Sequence, residues 1–159
     1  MSERRVDLDR TDIRILKQLQ LDSSLSNLEL ADKIGLSASP CLRRVKALEE
    51  QGLIEGYRAH LDAQKLGLDL LALVSISMDK HTPERFQNFE RMIAECSEVL
   101  ECFLITGQSA DYILKVIVRD MQHYQTFLLD RLTRIEGVSG VHSSFVMRKV
   151  LDRSALPLD

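Results

Sequence analysis

Between Leu8 and Gly52 the apolar positions recur at helical spacing in three short blocks. In LDRTDIRILKQLQLD, Ile13, Leu16 and Leu19 form a stripe, with Asp9 placed as the N-cap and Leu8 placed to staple onto Ile13. In SNLELADKIG, Ser26 and Glu29 have the spacing of a capping box, Leu30 and Ile34 share a face with Ala31 beside them, and Gly35 stands where a helix ends in a left-handed residue. After the turn Gly35-Leu36-Ser37, a third helix starts at Ser37 or Ser39 with Pro40 in its first turn. Cys41, Val45 and Leu48, with Leu42 beside them, form its packing side, and Gly52 closes it.

The pattern then changes period. Leu53, Glu55, Tyr57, Ala59 and Leu61 alternate with Ile54, Gly56, Arg58 and His60, which predicts an exposed strand or wing followed by a tether. A boundary is expected over residues 61–68, where AQKLG is polar and turn-forming, so residues 1–60 form one domain and 61–159 another.

The second domain reads strand, helix, strand, strand, helix, strand. LLALVSISM is the first strand; TPERFQNFERMIAEC follows, with a Thr cap, Pro83 at its first position and Phe86, Phe89 and Ile93 on one stripe. VLECFLIT and YILKVIVRD make a hairpin across TGQSA, and MQHYQTFLLDRLTRIEG carries Tyr124, Phe127, Leu128, Leu132 and Ile135 inward before a last strand, HSSFVMRKV. This βαββαβ order is the ferredoxin-like plan, an antiparallel sheet with both helices on one face. Strands apolar on both sides leave the other face to be covered, which implies self-association, most simply as a two-fold dimer.

The candidate chemistry lies in the third helix. One of its sides packs; the other carries Ser39, Arg43, Arg44 and Lys46, behind Ser37 in the turn. Cations on a lone helix are ordinarily solvated, but a third helix behind a capped amphipathic pair is the reading element of a helix-turn-helix, and the major groove of double-stranded DNA admits such a helix. Arg43 and Arg44 are expected at bases or phosphates, Lys46 at phosphate, and Ser37 and Ser39 at phosphate near the helix N-terminus.

Composition adjusts this picture at few points. The sequence pI of 5.8 is low for a DNA binder. Residues 1–60, however, hold ten Lys/Arg against ten Asp/Glu, and the net charge of −3 resides in residues 61–159. A neutral head binds DNA if its cations cluster on one face. Cys41, Cys96 and Cys102 are odd in number and form no CxxC, so neither a disulfide framework nor a metal site is expected. No apolar run approaches the ~18 residues of a membrane span, and no secretory leader is visible, so a cytoplasmic protein without membrane contact is expected. Ser/His/Asp sets, a P-loop and paired carboxylates are missing too; no cofactor and no enzyme is expected.

DRTDIRILKQLQ, SNLELADKIGLSASPCLRRVKALEEQGLIEGY, the TG…DYILKV segment at 106–116 and the terminal SSFVMRKV together resemble the Lrp/AsnC (feast/famine) family of transcription regulators, over essentially the whole chain. The resemblance implies an α+β protein: an N-terminal winged helix-turn-helix, a tether strand and a C-terminal ferredoxin-like (RAM-type) domain that senses an amino acid and forms a homodimer, which often assembles to an octamer. It further implies an effector held between dimers against a Gly-x-x-Asp-Tyr loop. Here the loop is Gly107-Gln108-Ser109-Ala110-Asp111-Tyr112, one residue longer. Gly107 is free of side-chain constraint, the loop N–H groups and Ser109 suit a carboxylate, and Asp111 suits an α-ammonium. Tyr112 is expected to wall the site. By resemblance to a polar position in the family's last strand, Ser143 joins the effector candidates. Taken without the resemblance, GQSAD is a hairpin turn that Asp111 stabilises.

Decarboxylases acting on the tetrapyrrole sirohaem resemble the same two-domain fold and are the alternative. They would need His and Arg around a tetrapyrrole, whereas His81, His123 and His142 are scattered without a motif. A ligand-binding module without DNA function is disfavoured by the intact helix-turn-helix.

Overall fold

Three helices, the first two with capping boxes, build the N-terminal unit of the computed structural model, which describes residues 7–107 and 109–158. In α1 (Arg10–Leu21), the Asp9 side chain accepts from the Thr11 and Asp12 N–H groups, and Asp12 accepts in return from the Asp9 N–H. In α2 (Asn27–Ile34), Ser26 and Glu29 form the reciprocal box that their spacing foretells. Gly35 ends α2 at φ 68°, a left-handed conformation that a side chain disfavours. α3 (Ala38–Glu50) follows from an N-cap at Ser37. Ile15, Leu30, Ala31, Ile34, Cys41 and Leu48 close one small core between the three helices.

Between the end of α3 and residue 69 no strand forms. The alternation over Leu53–Leu61 has no neighbouring strand to bond, so this stretch stays irregular. Its start folds back through the Leu53 and Ile54 N–H groups donating to the Leu48 carbonyl, and the Tyr57 hydroxyl donates to Glu49 at 2.9 Å. Partial burial and this acceptor push the Tyr57 phenol up to about 12.

The second unit spans Leu61–Val150. It runs β1 (Leu70–Met78), α4 (Pro83–Ala94), β2 (Val99–Leu104), β3 (Tyr112–Val118), α5 (Met121–Asp130) and β4 (Val138–Phe145). The sheet is antiparallel in the order β2-β3-β1-β4, with β1 central between β3 and β4. Ala72, Val74, Ile76, Leu114, Val116 and Val118 pack against Phe89, Ile93, Tyr124 and Phe127 of the helices. By alternation Leu71, Leu73, Phe103, Ile113 and Ile117 stand on the opposite, uncovered face, with Lys115 and Glu101 paired across it at 2.6 Å.

Two boundaries differ from expectation. α5 stops at Asp130, and a 3₁₀ turn, Leu132–Arg134, carries Leu132 and Ile135 into the core in place of a continued helix. β4 lies earlier than the sequence pattern suggests and ends at Phe145 opposite Ala72, because β1 begins only two residues further along. The segment from Leu151 onward packs with the three-helix unit, so the division at residue 60 does not hold for the chain's last residues. Among the described residues, no helix is long and apolar enough to cross a membrane.

Candidate nucleic-acid interface and effector loop

Helix geometry sorts the third helix's cations. Ser39, Leu42, Arg43, Lys46, Ala47 and Glu50 line one open face of α3. Arg43 and Lys46 stand one turn apart on that face, with Ser39 a turn earlier. Ser37 is exposed, and its hydroxyl makes no capping bond to α3, so the helix's first N–H groups keep no side-chain cap. Such an end, with its positive dipole, suits a phosphate.

Arg44 faces elsewhere. One residue on from Arg43, it turns about 100° round the helix, toward α1. There its Nη1 lies 2.7 Å from both Asp9 Oδ2 and Asp12 Oδ1, the two carboxylates of the α1 capping box. The pairing raises the guanidinium's pKa, chiefly through the bonds to Asp12 and Asp9, and the Arg44 side chain is about a third exposed. Arg44 thus has an ion-paired place between α1 and α3, apart from the face that Arg43 and Lys46 share.

Two features of this face escape sequence pattern. Leu42, expected beside the packing stripe, is 44% exposed within the cationic face. Asn27, at the start of α2, donates from Nδ2 to the Ala38 carbonyl at 2.8 Å and so fixes the α2–α3 joint. Its partner lies eleven residues away, at a distance no local motif marks.

The hairpin loop is tied to the end of β1. Gly107 holds φ 85°. The Ser77 hydroxyl donates to the Ser109 carbonyl at 3.0 Å, and the Asp111 N–H donates to the Ile76 carbonyl at 2.7 Å. Asp111 itself accepts from the Met78 N–H at 2.7 Å through Oδ2, while Oδ1 lies 2.7 Å from His81 Nε2. Asp111 is thus a local anchor as well as a candidate ligand group. Gln108 lies outside the described residues.

Tyr112 and Ser143 lie elsewhere. Alternation along β3 turns Tyr112 to the helix side, where it is 1% exposed, packs on Phe89 and Phe86 with ring centroids 4.6 and 5.7 Å away, and donates to Glu90 at 2.8 Å. Burial first, then Glu90, raises its phenol pKa. Ser143 pairs with Val74 across β1 and β4 on the same side, and its hydroxyl bonds that of Tyr124 on α5. Neither side chain walls the loop. His81 and Ser77 do stand at it, brought there by sheet register and not by any sequence spacing.

Among the described residues, no three His, Cys, Asp or Glu side chains gather as metal ligands.

Comparison with known proteins covers both units. A family model described as the Lrp/AsnC ligand binding domain matches residues 71–156, and a winged helix-turn-helix DNA-binding model matches residues 8–55. The Bkd operon transcriptional regulator of Pseudomonas aeruginosa is 45% identical, over 96% of this chain and 99% of its own. The leucine-responsive regulatory protein of Escherichia coli strain K12 is 41% identical, over 94% and 91%. Among solved structures, a transcriptional regulator of Neisseria meningitidis in complex with L-Met superposes with a TM-score of 0.92 at 38% identity, covering 96% of this chain and 98% of its own. An AsnC family transcriptional regulator of Agrobacterium tumefaciens gives 0.89 at 37% identity, with 94% and 97% covered.

Proposed function

Because the chain belongs to the Lrp/AsnC family of DNA-binding transcription regulators, we propose that it reads DNA through Ser39, Leu42, Arg43 and Lys46 of α3. The chain is a regulator and not an enzyme, and the tetrapyrrole decarboxylase alternative falls away.

The observation that supports this assignment is the open face of α3, on which two cations one turn apart follow an N-terminus without a side-chain cap. Arg43 is assigned to base edges or phosphate, Lys46 to phosphate, and Ser37 and Ser39 to the phosphate at the helix start. Leu42, apolar in the middle of this set, fits a thymine methyl group. Arg44 serves by holding α3 on α1.

The uncovered sheet face, with Leu71, Leu73, Phe103, Ile113 and Ile117, is assigned to pairing with a second copy. A two-fold pair presents two reading helices to half-sites about 34 Å apart, or a multiple of that. Assembly of such pairs to an octamer is the corresponding higher state.

The effector is assigned to the amino acids, since the Neisseria relative was crystallised with L-Met. The proposed receptor is the loop from Gly107 to Asp111, including Gln108, with Ser109 and loop N–H groups for the carboxylate and Asp111, beside His81, for the ammonium. Binding would couple to DNA affinity by roughly 1–3 kcal/mol. A regulator of this kind works at the chromosome, hence in the cytoplasm.

Selection of duplexes from a random pool, without and with the twenty amino acids, tests the reading. Enrichment of two-fold related half-sites, altered by at least one amino acid, is expected. Recovery of no common sequence would overturn it.

A further inference from the structure

The chain leaves its first unit after His60 and returns to it at Leu151. α1 explains what receives the returning segment. Ile15 is fully buried in the three-helix core, whereas Leu16 and Leu19, with Leu8 ahead of the helix, are only partly buried. Together with Leu53, Ile54 and Tyr57 they line a groove of about 540 Å³, along which Ser154, Leu156 and Leu158 form a further wall.

We infer that this groove is a binding site for the chain's own C-terminal segment, read through the main chain of Leu156. Gln20 is the reading residue. Its Nε2 donates to the Leu156 carbonyl at 3.2 Å, and its Oε1 accepts from the Leu156 N–H. One side-chain amide thereby satisfies both polar groups of one tail residue, as a neighbouring strand would. This recognition does not depend on the Leu156 side chain, which is 70% exposed. Leu158, partly buried, lines the groove with an apolar side chain.

The tail's sequence suits the role. Pro157 disfavours the helical conformation for Leu156 and fixes its own φ, so the segment is already extended before it docks and loses less freedom on docking. An extended Leu156 leaves its N–H and C=O without a partner in the tail itself, which is what Gln20 supplies. With the tail seated, the head is attached to the rest of the chain at two ends; unseated, it hangs on the single passage near His60. The inference is independent of whether the head reads DNA.

Hydrogen exchange on the full chain tests it. The Leu156 amide is expected to exchange about tenfold more slowly than in a free peptide of residues 151–159, the scale of one well-made hydrogen bond. Gln20→Ala and, separately, Leu158→Asp are expected to abolish that protection while the amides of Ile15, Leu30 and Leu48 keep theirs. Leu158 lies outside the three-helix core, so its variant reports docking even if Gln20→Ala disturbs α1. Free-peptide exchange at Leu156 in the unaltered chain, or protection unchanged in both variants, would overturn the inference.

Discussion

Arg44 on α3 and Asp12 on α1 are joined by a 2.7 Å ion pair, and Asp12 is also the residue that closes the capping box at the start of α1. A cation in the middle of the reading helix thus serves the fold of the head. Arg44→Ala is expected to lower the thermal midpoint of the head by a few degrees, because both capping carboxylates lose their partner. DNA affinity measured below that midpoint should keep its original dependence on salt. A shallower salt dependence with no loss of stability would return Arg44 to the DNA face.

Arg43 and Lys46 should behave in the opposite way. Each replaced by alanine is expected to leave the melting curve nearly unchanged and to weaken duplex binding about tenfold, with the slope of log affinity against log salt smaller by about one for a lost phosphate contact. Fluorescence anisotropy titrations at three or more salt concentrations measure both quantities.

Acid should destabilise the head. Asp9 is held below its ordinary 3.8, first by the Asp12 N–H; the Ser24 hydroxyl does the same for Asp22, and the Ser26 hydroxyl holds Glu29 below its ordinary 4.5. A depressed carboxylate contributes stability above its free value and loses it as pH falls through the lower folded value. The head's contribution from these caps is therefore complete near neutrality and declines below the 3.8 to 4.5 range. Circular dichroism melts from neutral pH downward should show it, and a flat profile would remove the caps from the account.

Leu73, 44% exposed at the centre of the uncovered sheet face, is the position at which a charge should break self-association. Leu73→Glu is expected to lower the molar mass seen by light scattering on a sizing column to that of a single chain, with little change in the fold of the monomer, since the side chain points away from the helix-side core. An unchanged mass would place the interface elsewhere.

Asp111 links the hairpin loop to β1. Asp111→Ala leaves the Met78 N–H without its acceptor, at a cost of about 1–3 kcal/mol. The same variant is expected to abolish any thermal stabilisation by an amino-acid effector. Asp111→Asn, which retains an acceptor for Met78 but no charge, separates the two roles: stability should recover and the effector response should not.

Capping shows how far the sequence reaches. Ser26 with Glu29, and Thr82 with Pro83, satisfy backbone groups only a turn away, so residue identity at fixed short spacing settles where those helices begin. Alternation likewise settles that β1 and β3 are strands with one side inward, as Val74, Ile76, Leu114 and Val116 show. The same alternation over Leu53–Leu61 gives no strand, because a strand also needs a bonded neighbour and the chain supplies none there.

The chain's sequence by itself determined three helices, two of them closed by capping boxes and the third cationic, the βαββαβ order, and the uncovered apolar face, since each depends on residues within a few positions of one another. Only the tertiary structure decided that Arg44 belongs to Asp9 and Asp12, that Asp111 meets His81 and Met78, that Tyr112 and Ser143 face the helices, and that Gln20 holds Leu156. Those pairings join residues separated by many positions, and sheet register or helix rotation sets which side chains meet. A shift of one residue in a strand, or of 100° on a helix, sends a side chain to a different partner.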